Sequence, residues 1–187
     1  MSLAIDLNDH KREILNGKIH YMSPSANPRH GRVIGKIFRV LSNYLVGKTC
    51  EAFTDTIDVY LDKDSNDVVI PDVSVLCEPD KFTNRGYEGV PTLIVEVISP
   101  TSVHRDKVVK YKIYEQYGVK EYWLVDPISR TLEIHTLVEG RYQLVDAYAM
   151  LEEEDLLRLT EEDKKEVKGE FSPVSFPELV IKLEELF

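Results

Sequence analysis

The sequence is poor in cysteine, with only Cys50 and Cys77. Neither cysteine has the spacing of a zinc-ligand pair or of a disulfide framework. The first residues, 1–11, also lack the hydrophobic core of an export signal. These two features predict a reducing, cytoplasmic location for the protein.

Long hydrophobic runs are absent as well. No stretch approaches the roughly 18 consecutive apolar residues that a membrane-spanning helix requires. This absence argues against a membrane partner and predicts a soluble protein.

An excess of positive charge is also lacking, because the formal net charge is −10. A nucleic acid attracts Lys and Arg, so this charge argues at first against such a partner. However, residues 151–170 hold 9 acidic and 4 basic residues, whereas residues 1–150 hold 21 and 18. The body of the chain is therefore nearly neutral, and a nucleic-acid partner remains open.

Apolar periodicity and turn residues predict the secondary structure. Asn16-Gly17 between two apolar runs is the strongest short-range hairpin signal. Apolar residues at helical spacing predict a helix over 33–45, which Gly47 ends. The further predicted elements are strands over 51–61 and 67–76 that form a second hairpin, a loop over 77–91, a strand over 92–98, a helix over about 103–117, a strand over 121–126, and a hairpin of 131–137 with 141–145 that adds to a sheet edge.

These elements predict an α/β (α+β) fold, with a mixed β-sheet core flanked by helices and additional β-hairpins. The length of 187 residues and the hydrophobic content of 43% suit one domain with a well-buried core. Within this single domain, 1–187, we expect an N-terminal β-hairpin over 1–25, an acidic connector over 151–170 and a C-terminal helical segment over 171–187.

Two carboxylates stand inside apolar strands. Asp72 lies within Val69–Val75, and Glu96 lies within Thr92–Ile98. A strand that is apolar on both faces is typical of a sheet centre, where an uncompensated carboxylate costs several kcal/mol. A divalent metal ion between the two would satisfy both. The alternative is a structural network in which Arg, Lys or backbone donors satisfy them.

The helix that follows the Glu96 strand carries a lysine on a defined face. Asp106, Lys110 and Tyr114 are successive i,i+4 positions, so they share one side of the helix. From that side Lys110 can reach the carboxylates. The alternative is a solvated lysine that pairs with Asp106.

The first helix carries a basic stripe, which we predict lies opposite its apolar face. Its members are spaced by 3, 4 and 3 positions and are Arg29, Arg32, Lys36 and Arg39. The stripe is a candidate phosphate-binding surface, and the alternative is an ordinary solvated face. His30 stands at the N-terminal end of this helix, where free N–H groups favour anions.

The ordered set of motifs resembles the Uma-type family of restriction endonucleases, within the PD-(D/E)XK nuclease superfamily. The resemblance runs from about Glu13 to the C-terminus and implies a restriction-endonuclease-like fold. The motifs that carry it are Pro-Asp-Val-Ser-Val from Pro71, Val-Glu-Val-Ile-Ser-Pro-Thr-Ser from Val95, Asp106-x-x-x-Lys110-x-x-x-Tyr114, the segment from Tyr117 to Pro127, and Phe-Pro-Glu-Leu from Phe176.

The resemblance implies roles for these residues. Asp72 and Glu96 would hold Mg²⁺ or Mn²⁺, and Val97 would lend its backbone carbonyl to the metal. Ile98 occupies the place of the superfamily's usual lysine. The Uma-type pattern implies a lysine displaced onto the following helix, which is Lys110 here. The candidates for supporting roles are His30, Asp106, Lys107 and Tyr114, with Lys107 as the substitute for Lys110.

The leading functional hypothesis is a Mg²⁺-dependent endodeoxyribonuclease that hydrolyses phosphodiester bonds in DNA. Because superfamily members often act as dimers, the resemblance also implies a homodimer. Two alternatives remain: a catalytically inactive nucleic-acid or protein binding module on the same fold, and a hydrolase of a phosphate that is not part of a nucleic acid.

Overall fold

The computed structural model describes residues 11–22, 27–64 and 66–187. Of the predicted N-terminal hairpin segment, residues 1–10 and 23–25 lie outside the described residues. The elements are β1 (Arg12–Leu15), β2 (Lys18–Tyr21), α1 (Pro28–Leu45), β3 (Glu51–Thr54), β4 (Val59–Tyr60), β5 (Val68–Val69), β6 (Val73–Leu76), β7 (Phe82–Thr83), β8 (Gly86–Glu88), β9 (Leu93–Val97), a π-helical segment (Arg105–Lys110), α2 (Tyr111–Tyr117), β10 (Glu121–Asp126), β11 (Thr131–Val138), β12 (Arg141–Ala149), α3 (Glu153–Arg158), β13 (Glu170–Phe171) and β14 (Ile181–Lys182).

A mixed central sheet organises the chain in the order β12-β11-β10-β9-β6-β3. Strands β9 and β10 are parallel, and the other neighbours in this sheet are antiparallel. The π-helical segment and α2 form the crossover that a parallel pair requires. The arrangement is the α+β fold with a mixed sheet that the sequence predicts, and the hairpin of β11 and β12 lies at the predicted sheet edge.

The two faces of β9 belong to different hydrophobic cores because side chains alternate along a strand. Leu93 and Val95 pack in one core with Ile37 of α1. Ile94 packs in the other core with Tyr114 of α2. Helices therefore cover both sides of the central strands, and buried surroundings extend on both sides of the position of Glu96.

A second sheet has the order β2-β1-β5-β4-β8-β7. The N-terminal hairpin is confirmed, since Asn16 and Gly17 adopt the positive φ angles of 51° and 71° that its turn needs. The long hairpin over 51–76 spans both sheets: β3 pairs with β6 in the central sheet, whereas β4 pairs with β5 in the second sheet. Through β1 and β5, the second sheet brings the N-terminal hairpin close to the end of β6.

Three segments differ from the sequence prediction. The predicted loop over 77–91 contains the short pair of β7 and β8. The predicted regular helix over 103–117 is a π-helix at Arg105–Lys110. The segment 171–187 holds Phe171 of β13, the partner strand β14 and a single 3₁₀ turn, Leu183–Glu185, where a terminal helix was expected. Local periodicity does not distinguish these tight elements from loops or regular helix.

Cys50 and Cys77 form a disulfide, although their spacing in the sequence indicates no disulfide framework. The register of β3 and β6 places Glu51 opposite Leu76, so the two cysteines are the next facing pair. The cysteine argument for a reducing location consequently loses its basis. No helix in the described part of the chain is both long and apolar enough to cross a membrane.

Candidate active site

Asp72 and Glu96 meet at one end of the central sheet. Their strands pair in a register that sets Val73 opposite Val95, and the next step of this register sets Asp72 beside Glu96. The N–H group of Val97 donates to Oδ2 of Asp72 at 2.7 Å, so the Val97 peptide lies against this carboxylate. Glu96 is only 3% exposed. The structure thus brings the two sequence-predicted acids together.

Lys110 reaches this pair from the π-helical segment. Its Nζ lies 2.9 Å from Oε1 of Glu96 and 2.7 Å from Oε1 of Glu13. The residue is 3% exposed, so it is not the solvated partner of Asp106 that the alternative describes. Burial alone would lower the pKa of Lys110, but Glu13 and Glu96 raise it overall. The ammonium group therefore stays charged inside the protein.

Asp106 and Tyr114 complete the buried face of the same helical element. The Tyr114 hydroxyl donates to Oε1 of Glu96 at 2.7 Å. Asp106 is buried, and this burial raises the pKa of its carboxyl while Lys110 acts in the opposite direction. Although the segment is partly π-helical, the three positions predicted to share a face all point into the protein.

Glu13 is the member of the cluster that sequence reasoning missed. It lies on β1, is fully buried, and accepts a hydrogen bond from the Ile70 N–H at 3.0 Å. Its neighbours Lys11 and Arg12 are charged, so the stretch looks solvated in the sequence. Strand alternation was the available signal. Side chains two positions apart share one face of a strand, so Glu13 lies on the same face as Leu15, which belongs to the core.

His30 sits at the beginning of α1 and faces Asp72, with 3.4 Å between its Nε2 and Oδ2 of the carboxylate. The hydrogen bond to Asp72 is the main cause that raises the pKa of His30, and partial burial acts against it. The interaction favours the imidazolium form. Sequence reasoning placed His30 near an anion, and the structure identifies Asp72 as its acidic partner.

The His30–Asp72 contact leads to a pH prediction. We expect the pKa of His30 to lie above its ordinary value of about 6.5 and to fall in Asp72→Asn. The pair then contributes stability that is complete below about pH 6.5 and is lost as the pH rises through the folded-state pKa. Proton NMR titration of the imidazole signals measures both values.

His135 provides an internal control for that titration, because burial lowers its pKa instead. Its titration should be the same in the wild type and in Asp72→Asn. A His30 pKa that does not respond to the loss of the Asp72 charge would contradict the contact.

The remaining predicted residues lie away from this cluster. Lys107 is 40% exposed on its side chain and pairs with Glu133 at 2.7 Å, so it lies outside the buried cluster around Lys110. Arg29, Arg32 and Lys36 line a separate cavity. Arg39 is exposed and is not part of that cavity lining.

The electrostatic balance of the buried cluster is negative. Glu13, Glu96 and Asp106 are all buried, and Lys110 is the buried cation among them. Burial is the largest cause that raises the pKa of Glu96 well above its usual value, and Lys110 counteracts it only in part. A further positive charge at this end of the sheet would therefore stabilise the ionised carboxylates.

The donor set fits a hard divalent cation. Carboxylate oxygens of Asp72 and Glu96 with the Val97 peptide carbonyl are the ligand types that Mg²⁺ prefers, and Mg²⁺ usually keeps several waters. Oε2 of Glu13 and Nδ1 of His30 are buried without a hydrogen-bond partner among the described residues. Within residues 11–22, 27–64 and 66–187, no group of three or more His, Cys, Asp or Glu side chains is arranged to hold a metal ion. The protein would thus supply two carboxylates and a carbonyl, and water would supply the rest.

Comparison with known proteins bears on this site. The family model described as "Uma2: Putative restriction endonuclease" matches residues 2–164. The "Uncharacterized protein slr1290" of Synechocystis sp. is 26% identical over 126 residues; the match covers 67% of this chain and 65% of that relative, so the chain spans slightly less than two thirds of its length. A crystal structure of a "putative nuclease belonging to DUF820" from Anabaena variabilis superposes with a TM-score of 0.68 at 17% identity, covering 94% of this chain and 89% of that chain. The structural likeness confirms the predicted fold.

Proposed function

The chain belongs to the Uma2 family of putative restriction endonucleases, and from this premise we propose that it is a Mg²⁺-dependent endonuclease that hydrolyses phosphodiester bonds in DNA. The observation that supports it most is the convergence of Asp72, Glu96 and a charged, buried Lys110 at one end of the central sheet. Two acids can hold a metal ion that activates water, and a lysine can stabilise the negative charge that develops on the phosphoryl oxygens.

In this proposal Asp72 and Glu96 would hold the ion together with the Val97 carbonyl. When bound, the ion would supply positive charge to stabilise the phosphoryl oxygens and would activate water. Lys110 contributes a second positive charge, which favours the more negative transition state over the substrate. Glu13, at 2.7 Å, and Glu96, at 2.9 Å, hold the ammonium group in position before the substrate arrives.

His30 and Tyr114 have supporting roles. Tyr114 donates to the same Glu96 oxygen that Lys110 contacts, so it limits the orientations of the carboxylate. When His30 is protonated, its imidazolium ring places a positive charge next to Asp72. Because a proton on His30 and a metal ion on Asp72 repel each other, metal binding should strengthen as the pH rises through the pKa of His30.

A binding module on the same fold is the second candidate, and Ile98 is the observation that favours it. Ile98 stands where the superfamily's usual lysine would stand, and it is buried in the core with Tyr114 and Tyr122. Without a cation in the site, the fold would bind DNA and leave it intact. The two candidates therefore differ in whether Lys110 takes over the role of the missing lysine.

Plasmid cleavage tests the proposal. We expect the purified protein to nick supercoiled plasmid in the presence of Mg²⁺ or Mn²⁺. This cleavage should stop when EDTA is added. Asp72→Asn, which keeps the side-chain shape, should lower the rate about a thousandfold, corresponding to about 4 kcal/mol of transition-state stabilisation. Agarose gels quantify the nicked form.

Three outcomes would contradict the nuclease proposal. One is salt-sensitive binding of DNA with no cleavage under any divalent ion, which would favour the binding module. The second is equal nicking by the wild type and by Asp72→Asn, which would point to a contaminating nuclease. The third is turnover of a chromogenic phosphodiester without plasmid cleavage, which would indicate a hydrolase of small phosphates.

A further inference from the structure

A cavity of about 410 Å³ opens between the start of α1 and the turn that joins β10 to β11. We call it the basic cleft, because its charged lining residues are Arg29, Arg32, Lys36, Arg130 and Glu152. The cavity is lined from four separate parts of the chain: α1, the turn after β10, Glu152 and Phe187. Arg130 was not part of the predicted stripe, and Arg39 of that stripe does not line the cavity.

The charge of the basic cleft is opposite to that of the whole protein. Among the side chains that line it, four are cationic and one is a carboxylate, whereas the chain as a whole carries a formal charge of −10. A concave surface with charge of one sign concentrates ligands of the opposite sign. The ligand that this cavity favours is therefore an anion.

Two of the cations lack a partner among the residues that the structure describes. Lys36 donates to the Phe187 carbonyl oxygen, and Arg130 pairs with Glu152. Within the described residues, the guanidinium groups of Arg29 and Arg32 have neither an ion-pair partner nor a hydrogen-bond acceptor. They remain available for an external anion, and guanidinium groups suit phosphate geometry particularly well.

In the ion pair between Arg130 and Glu152, an external anion can replace the Glu152 carboxylate. Glu152 is 62% exposed on its side chain and comes from the acidic segment before α3. Exposed ion pairs of this kind contribute little to stability. An incoming phosphate can therefore replace Glu152 on Arg130 at little cost.

The basic cleft lies next to the candidate active site along two elements. On α1, Arg29 directly precedes His30, which contacts Asp72. On the sheet, Pro127 follows the last residue of β10, and β10 pairs with β9 through Val125 and Val97. A DNA strand that passes Asp72 and Glu96 on the side of α1 and Pro127 would therefore meet the basic cleft next.

We propose that the basic cleft binds the sugar-phosphate backbone of the DNA substrate away from the scissile position, and that this backbone displaces Glu152 from Arg130. This inference rests on the proposed nuclease function for its ligand. It adds Arg130 to the substrate contacts, removes Arg39 from them, and gives Glu152 the role of an internal competitor.

Fluorescence anisotropy with a labelled DNA duplex in EDTA tests the basic cleft, because binding can then be measured without cleavage. Arg32→Gln should weaken binding roughly five- to tenfold and lower the slope of log K against log salt by about 0.9, the value for one lost phosphate contact. Arg39→Gln is the matched control: it removes the same charge from the same helix and should leave affinity and slope unchanged.

Glu152→Gln gives the prediction of opposite sign. Removal of the competing carboxylate should tighten DNA binding about two- to fivefold, which corresponds to the free energy of an exposed ion pair. A role of Glu152 in folding alone would leave the affinity unchanged or weaken it. Thermal melting of each variant checks that its fold is intact, as expected for exposed positions.

The outcomes separate the basic cleft from the nuclease proposal. Three results would each overturn the proposal for the basic cleft. They are an equal loss of DNA affinity in Arg32→Gln and Arg39→Gln, weaker DNA binding by Glu152→Gln, and binding of an RNA duplex but not of DNA. A protein that shows the predicted affinity changes but never cleaves plasmid would support the cleft and refute the nuclease. In an active enzyme, Arg32→Gln should slow plasmid cleavage, whereas Arg39→Gln, outside the cavity lining, should leave the cleavage rate unchanged.

Discussion

Replacement of Lys110 by methionine is expected to lower plasmid cleavage about a thousandfold and to destabilise the protein by about 3–5 kcal/mol. The side chain is buried, and its ammonium group lies within 2.7–2.9 Å of the Glu13 and Glu96 carboxylates. Methionine keeps the length of the side chain but removes the charge, so both acids are left in the core without their counter-ion. Urea unfolding and plasmid nicking measure the two effects.

The pH dependence of this instability identifies its cause. In the wild type, burial raises the pKa of Glu96 and Lys110 lowers it. In Lys110→Met the lowering effect is lost, so the pKa of Glu96 rises further. When the pKa of a carboxyl group is higher in the folded state than in the unfolded state, the protein loses stability as the pH rises above the unfolded-state pKa. The deficit of the variant should therefore be smallest in acid and should grow as the pH rises above the wild-type pKa of Glu96, which burial already holds well above its usual value.

Two further variants separate folding from catalysis. Lys107→Met is the matched control, since Lys107 is a surface residue paired with Glu133; it should lose at most about 1 kcal/mol and keep full activity. Adding Glu13→Gln to Lys110→Met removes one of the unpaired charges and should recover part of the stability without restoring cleavage. If the double variant regained cleavage, Lys110 would have only a structural role.

The sequence predicts those parts of the site that have a local signature. Asp72 and Glu96 are visible because each interrupts an apolar strand, and burial of such a charge demands compensation. Lys110 and Tyr114 are visible because helical spacing puts them on the face of Asp106. Each of these inferences depends on neighbours within a few positions of the residue.

The parts that the sequence does not reveal depend on pairing between distant segments. Glu13 joins Lys110 only because β1 pairs with β5, which places the N-terminal hairpin beside Ile70. Cys50 and Cys77 become neighbours only through the register of β3 and β6. Strand partners and registers are set by tertiary packing, so a single sequence contains little information about them.

The π-helical segment Arg105–Lys110 illustrates the same limit at short range. Its residues have ordinary helical propensity, and the periodicity predicts a regular α-helix. π-helical turns occur often at functional sites, where a local change of pitch redirects side chains. Here the segment contains both Asp106 and Lys110, the two charged residues that it buries. The pitch change therefore coincides with the part of the helix that serves the candidate site.

Glu96→Gln is expected to abolish the response to metal while leaving the fold intact. The substitution keeps shape and hydrogen-bonding capacity but removes one of the two proposed carboxylate ligands, so cleavage should fall about a thousandfold. For the wild type, Mg²⁺ at about 100 times its Kd should stabilise the protein by about 2.7 kcal/mol, which raises Tm by roughly 5–10 °C. In Glu96→Gln this rise should vanish.

Tyr114→Phe is the control that distinguishes a ligand from its support. It removes only the hydroxyl that donates to Oε1 of Glu96 at 2.7 Å, so the carboxylate stays and loses one orienting contact. Loss of such an outer contact typically costs about 10- to 100-fold in metal affinity or activity. The Mg²⁺-dependent rise in Tm should therefore persist in Tyr114→Phe at higher Mg²⁺ concentration. A normal Mg²⁺ response in Glu96→Gln would instead show that the ion binds elsewhere, and the proposed metal site at the end of β9 would be wrong.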